Sequence, residues 1–284
     1  MSVTNSFPLS PDQVGGEGWG EGAAPPSSPA SRKSEVYPPH PALSPIASDG
    51  GEASVTRGGT ENHHRHIRSF VLRQGRFTPA QQRAFELHWA RYGLDPRAPL
   101  DAPRVFGRRA PLVLEIGFGN GEQLLWAAQH ETDKDFIGVE VHRPGVGRLM
   151  NALAEHNVDN VRLYNHDVVD VLEGAIAPGM LDEVRIYFPD PWPKKRQTKR
   201  RLIQPEFVAA LATRVAVGGR LHLATDWADY AAQMREVMDN ASGWRSLGGA
   251  DGFIAQPAWR TQTHFEKRGR KLGHGVWDLL HERC

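Results

Sequence analysis

The sequence predicts an α/β fold: a mostly parallel, twisted sheet with helices on both faces, behind a disordered N-terminal tail. Three observations carry that prediction. Short apolar runs alternate with helical periodicity between residues 112 and 224, the pattern of a parallel sheet whose crossovers are helices. The first run closes in a glycine-rich turn, Glu115-Ile116-Gly117-Phe118-Gly119-Asn120-Gly121. An acid sits at or just past the end of each strand-like run: Glu115, Glu140, Asp167, Asp190 and Asp226. Ligands of such sheets bind at the carboxyl ends of the strands. One acid there is noise, whereas one per strand describes a site.

Residues 1 to about 60 are rich in Gly, Pro, Ser and Ala and lack apolar periodicity. Such a segment buries too little surface to offset its ordering entropy, so it reads as a disordered tail. The folded domain is expected over 61–284. Arg68, Arg73 and Arg76 lead into Thr78-Pro79 and AQQRAFELHWARYG, a helix with a threonine cap and proline at its first position. Leu112–Ile116 is the first strand, and the segment 123–129 after the glycine turn is helical. Phe136–Val141 is the second strand, followed by a helix through Leu149, Leu153 and Ala154. Val161–Tyr164 is the third, ending at His166-Asp167. Glu183–Phe188 is the fourth, and Arg220–Ala224, after a turn at Gly218-Gly219, is the fifth.

Composition narrows the chemistry. The 284 residues carry a formal charge of only +1, but cations cluster at 194–201 and at Lys267, Arg268, Arg270 and Lys271. Phosphate binding depends on the field at one face, so the clusters outweigh the total. The only cysteine is Cys284, the last residue, which excludes an intrachain disulfide, a cysteine-rich zinc site and a plausibly placed cysteine nucleophile. No metal site is expected. No run approaches the ~18 apolar residues of a membrane span, and the N-terminus lacks a signal pattern. The expectation is a cytoplasmic protein without a membrane partner, as monomer or homodimer.

The glycine turn departs from the dinucleotide fingerprint, because Glu122 stands where the third glycine belongs. An acid beside the turn suits a cationic, phosphate-free ligand, and S-adenosylmethionine has that character. Glu140 is placed to accept from both ribose hydroxyls, and Asp167 from the adenine amino group. Glu115, Gly117 and Gly119 complete the expected cofactor site. Further on, Phe188-Pro189-Asp190-Pro191-Trp192 leads into Lys194, Lys195, Arg196, Lys199, Arg200 and Arg201. Two prolines fix the backbone around Asp190. A carboxylate, an aromatic ring and adjacent cations suit a purine whose backbone must be held. Trp192 suits stacking on the base and core packing equally.

Leu114-Glu115-Ile116-Gly117-Phe118-Gly119, Gly138-Val139-Glu140-Val141-His142, Phe188-Pro189-Asp190-Pro191-Trp192 and Ala224-Thr225-Asp226-Trp227 resemble the bacterial tRNA (guanine-N7)-methyltransferases. So do the segments 68–76, 265–269 and 272–279. The resemblance runs from Arg68 to the end and implies a Rossmann-like class I methyltransferase fold. It implies methylation of guanine N7 in tRNA, at position 46 of the variable loop, with S-adenosylmethionine as donor. By the same resemblance Glu115, Glu140, Asp167 and Asp190 line the cofactor site, and Asp190 is also catalytic. Lys194, Asp226, Thr263, His264, Phe265 and Glu266 match substrate-contacting positions, and Arg196, Gln197, Thr198, Lys199, Arg200 and Arg201 an RNA-contacting segment.

Guanine N7 carries a lone pair and no proton, so no general base is required. Asp190 is therefore expected to orient the base and to oppose the positive charge that develops on the purine. Asp226 and Glu266 are candidates for reading the guanine edge; an ion pair of Glu266 with Lys267 or Arg268 is the alternative. An exocyclic-amino methyltransferase would place its prolines together after the acid, whereas here they flank Asp190.

Overall fold

Thr78 opens the first helix with a reciprocal cap. Its hydroxyl accepts from the Gln81 N–H, and the Gln81 side chain accepts from the Thr78 N–H. The computed structural model describes residues 78–262, Glu266 and 275–284. The expected tail, the arginines at 68–76, Thr263, His264, Phe265 and the cations at 267–271 lie outside the described residues.

Helices α1 (Pro79–Tyr92) and α2 (Ala102–Phe106) lead into strand β1 (Leu112–Ile116). Then follow α3 (Glu122–His130), β2 (Asp135–Val139), α4 (Arg143–Glu155), β3 (Val161–Tyr164), α5 (Val168–Gly174) and β4 (Leu181–Tyr187). A 3-10 helix spans Lys195–Arg200; α6 (Pro205–Arg214), β5 (Val215–Thr225), α7 (Ala228–Asp239), β6 (Trp244–Ser246) and β7 (Trp277–Arg283) complete the order. Among the described residues seven strands form one sheet in the order β3-β2-β1-β4-β5-β7-β6. Strands β1 to β5 pair in parallel and β7 runs antiparallel to β5 and β6. The α/β expectation holds, with β6 and β7 added beyond the fifth strand.

The turn expected at Gly218-Gly219 is instead a bulge inside β5. Leu181 pairs with Val215 while Glu183 pairs with Arg220, so the ladder slips there, and Gly218 takes φ 82°. Glycine lets the strand absorb extra residues and continue.

Helices cover both faces. Toward α5, α6 and α7 the strands present Leu114, Ile116, Ile137, Val139, Val184, Ile186, Leu221 and Leu223. Toward α1, α3 and α4 they present Val113, Phe136, Val161 and Leu163. Gly138 permits that second layer to close: a Cβ there would stand 2.6 Å from Leu124 and 2.8 Å from Phe118.

Candidate active site

Between β1 and α3 the chain turns through Gly117, Gly119 and Gly121, at φ 73°, 58° and 80°, values that side chains with a Cβ rarely adopt. A Cβ on Gly117 or Gly119 would meet nothing within 4 Å, so the turn borders open space, as a cradle for a ligand must. Its back is closed, because a Cβ on Gly145 of α4 would stand 2.1 Å from the Gly119 carbonyl oxygen.

Glu140, just past β2, holds this cradle in shape. One carboxylate oxygen accepts from the Gly119 N–H at 2.9 Å and the other from the His142 N–H at 2.8 Å. A carboxylate offers about four acceptor sites, so acceptor capacity remains for a hydroxyl pair. Asn165 donates to the Glu140 carbonyl at 2.7 Å, and Asp167 caps α5 by accepting from the Val169 N–H. The ends of β2 and β3 are thereby tied together.

Glu115 differs from these. It is buried, and its Oε2 has no hydrogen-bond partner. Its strand neighbour Arg185 is committed elsewhere, both Nη atoms to Glu131 at 2.8 Å and Nε to Glu183 at 2.6 Å. Lys134 also contacts Glu131 and Glu183. Two cations thus balance two carboxylates, and Glu115 is in excess. Burial pushes its carboxyl up to about 8, with Arg185 opposing. A buried acid with a spare oxygen beside the glycine turn fits a cationic cofactor.

At the end of β4, Phe188 turns to φ 52° and Trp192 to φ 42°. Neither is glycine, and each such conformation costs about 1–3 kcal/mol. The strained pair brackets Pro189-Asp190-Pro191, which leaves Asp190 exposed. The Phe188 N–H donates to the Ala224 carbonyl, pinning the turn to β5.

The basic run divides in two. Lys194, Lys195, Arg196 and Lys199 are exposed, while Gln197 and Thr198 are half-buried. Arg200 lies over the Trp192 ring at 4.2 Å, so one face of that ring is already covered. Arg201, expected on the RNA, is buried. Its Nε donates to the Pro191 carbonyl at 2.7 Å, its Nη atoms to Gln233 and Asp229 at 2.6 Å, and it lies over Tyr230. Arg201 is a clamp on the Asp190 turn, because its Nε and both Nη atoms already donate to neighbours within the fold.

Asp226 is half-buried after β5. Glu266 is fully buried and pairs with Arg260 at 2.6 Å, a partner the sequence reading did not weigh. Arg260 also grips both oxygens of Asp278 at 2.7 and 2.8 Å. The His222 Nε2 lies 2.8 Å from Asp278, and its Nδ1 lies 2.8 Å from the Tyr187 hydroxyl and 3.3 Å from the Trp259 Nε1. Asp278 can only accept, which places the imidazole proton on Nε2. Burial pushes His222 below its ordinary range, so it is neutral. Sequence reasoning missed Arg260, Asp278, His222 and also Gln123, which binds the 259–261 segment through Trp259 and Thr261. The one available signal was a histidine inside the apolar run Leu221–Ala224.

Among the described residues no group of three His, Cys, Asp or Glu could hold a metal ion. Residues 109–279 match a family model described as "Putative methyltransferase". A tRNA (guanine-N(7)-)-methyltransferase of Xanthomonas campestris pv. campestris (strain 8004) is 61% identical over 240 residues, spanning 84% of this chain and 92% of the relative. The protein of the same name from Stenotrophomonas maltophilia (strain K279a) is 58% identical over 84% of this chain and 98% of its own. That from Xylella fastidiosa (strain M12) is 55% identical over 84% and 98%.

Proposed function

Because the chain belongs to the tRNA (guanine-N7)-methyltransferase family, we propose residue roles and a target position for the reaction that membership brings. The protein transfers a methyl group from S-adenosylmethionine to guanine N7 in tRNA. The target is position 46 of the variable loop, whose base lies outside regular A-form helix and is accessible at its edges.

One observation supports the site assignment above the rest. Strands β1 and β4 are hydrogen-bonded neighbours running the same way, so the glycine turn and the Asp190 turn leave the sheet side by side. Glu115, Gly117, Gly119, Glu140, Asp167 and Asp190 surround the cofactor, which supplies the methyl group as an electrophile on its sulfonium. Glu140 offers acceptors to a ribose diol, and Asp167 offers one to an exocyclic amine. Asp190 faces the guanine. N7 has its lone pair in the ring plane, so attack needs orientation and no proton removal, and orientation alone is worth up to ~7–11 kcal/mol. As the purine gains positive charge, the fixed Asp190 carboxylate opposes it. Lys194, Asp226, Thr263, His264 and Phe265 contact the substrate, while Glu266, fully buried against Arg260, supports the site from within. Lys195, Arg196 and Lys199 are exposed to meet flanking phosphates. No described helix is long and apolar enough to cross a membrane, and the cytoplasm is where tRNA is available.

The test is the product. Unmodified tRNA incubated with the protein and labelled S-adenosylmethionine should yield 7-methylguanosine, and borohydride–aniline scission should cut at residue 46. Asp190→Asn keeps shape and loses charge, so turnover should fall by about 10²–10³ while cofactor affinity is largely retained. N2-methylguanosine or 5-methylcytidine as the labelled product would overturn the reading, and Asp190 with it.

A further inference from the structure

Arg260 is a fully buried cation whose fork serves two separate segments. Nε and Nη2 hold Asp278 on β7, and Nη1 holds Glu266. Its guanidinium carbon lies 5.5 Å over the Phe188 ring, within reach of a cation–π contact. Phe188 is one of the two strained residues of the Asp190 turn. From Asp278 the network continues through His222 to the Tyr187 hydroxyl, and Tyr187 is the residue before Phe188. Two routes therefore join Glu266 to the Asp190 turn, one through the Phe188 ring and one through the hydrogen-bonded chain.

Stability alone gives little reason for this arrangement. With His222 neutral the cluster carries one cation and two carboxylates, formally one negative charge in a buried space. Desolvating such groups commonly makes an ion cluster no better than apolar residues of equal volume. What a fully connected network does provide is fixed geometry. Arginine alone among side chains can hold a carboxylate with two parallel bonds and still donate sideways to a second.

We propose that Arg260 is a positioning residue for the methyl transfer, locking Glu266 and the Asp190 turn into one unit so that the carboxylate meets the base at a set orientation. It touches neither guanine nor cofactor, and its effect passes through Asp190. The inference rests on the reading of Asp190 as the group beside the reacting guanine.

The experiment is a pair of mutant cycles in the full-length protein. Arg260→Lys keeps the charge and loses the fork. Tyr187→Phe removes one hydrogen bond at the far end and keeps the ring. Each is made alone and with Asp190→Asn, and single-turnover rates on tRNA are measured beside calorimetric affinity for S-adenosylhomocysteine and thermal melts. Arg260→Lys should slow transfer by about 10- to 100-fold, the scale of a misplaced catalytic group. Tyr187→Phe should slow it by about 3- to 10-fold, the scale of one lost hydrogen bond. Cofactor affinity should stay within about twofold in both, the margin of independent sites.

The coupling decides between positioning and plain stability. In the Asp190→Asn background either change should cost less than about twofold further, since the group being positioned is gone. Losses that multiply in the double variants, or single variants at the parent rate, would overturn the proposal. Should Arg260→Lys fail to fold, the Tyr187→Phe cycle decides alone by the same criterion. Full activity in Asp190→Asn by itself would instead overturn the reading of Asp190, so the two failures are separable.

Discussion

The two faces of the sheet are built from different materials by the same strands. On the side of α5, α6 and α7, strands β4, β5 and β7 contribute Val184, Ile186, Leu221, Leu223 and Leu279, all in one apolar cluster. On the opposite side the alternate residues of those strands include Glu183, Arg185, Tyr187, His222 and Asp278, all buried, beside the apolar Ala224 and Leu280. Period-two alternation makes such a division possible. The apolar face supplies burial, which is non-directional and tolerant of position. The polar face supplies directed hydrogen bonds, with charged groups from Lys134, just before β2, to Arg260, over the Phe188 ring. The lesson is that fold strength and site geometry are carried on different sides of a single sheet.

The largest effect expected from breaking this division is at Arg185. Arg185→Met removes the cation that holds Glu131 and Glu183, leaving two carboxylates and Glu115 with only Lys134. Breaking a buried ion cluster from one side costs about 3–5 kcal/mol. Ile186→Val, next in sequence and on the apolar face, should cost only ~0.5–1.5 kcal/mol. Denaturant unfolding of both variants measures the contrast. Equal losses would mean that the polar face is no more exacting than the apolar one.

The same division explains which parts were legible in the sequence. Strands β1 and β3 fall where their apolar runs predict, and the Thr78 cap opens α1 as expected. These signals are local. Arg201 was misread because its partners Pro191, Asp229 and Gln233 lie 10, 28 and 32 residues away, and a basic run carries no mark of which members turn inward. Gln123 meets Thr261 across 138 residues, beyond any pattern in a window. Strand β6 is only three residues long and mostly exposed, so it has no periodicity to read. The strand-end acids were visible because composition and position coincide. The cations beneath them were not, since a buried arginine and a solvated one look alike in sequence.

A smaller effect should appear at Glu115 on the polar face. Its carboxyl is raised from an ordinary 4.5 to about 8 by burial. Between those values the unfolded chain is ionised while the folded protein keeps the proton. Stability without cofactor should therefore fall as pH rises, and level off above about 8. Glu115→Gln cannot titrate, so it removes this slope. Between pH 6 and 8 the parent should lose about 1–2 kcal/mol more than the variant. Parallel stability curves would show that Glu115 is already ionised in the folded protein.

The smallest effect, and opposite in sign, belongs to His281. It pairs with Leu221 across β5 and β7, so it lies on the apolar face, where its Nδ1 is buried without a hydrogen-bond partner. Burial lowers it from 6.5 to about 4, with Asp239 on α7 opposing. Between those values the unfolded chain takes up a proton that the folded protein refuses, so stability should fall as pH drops from about 6.5 toward 4. His281→Leu removes the titrating ring, and the difference between the two curves isolates it from the carboxylates that also titrate in acid. From pH 6.5 to 5 that difference should grow by roughly 1 kcal/mol. Together the two variants sharpen the contrast: an acid held protonated on the polar face penalises alkaline pH, and a base held neutral on the apolar face penalises acid. A His281→Leu curve parallel to the parent would mean that water or a counter-charge reaches that face, and that it is less uniformly apolar than its strand alternation implies.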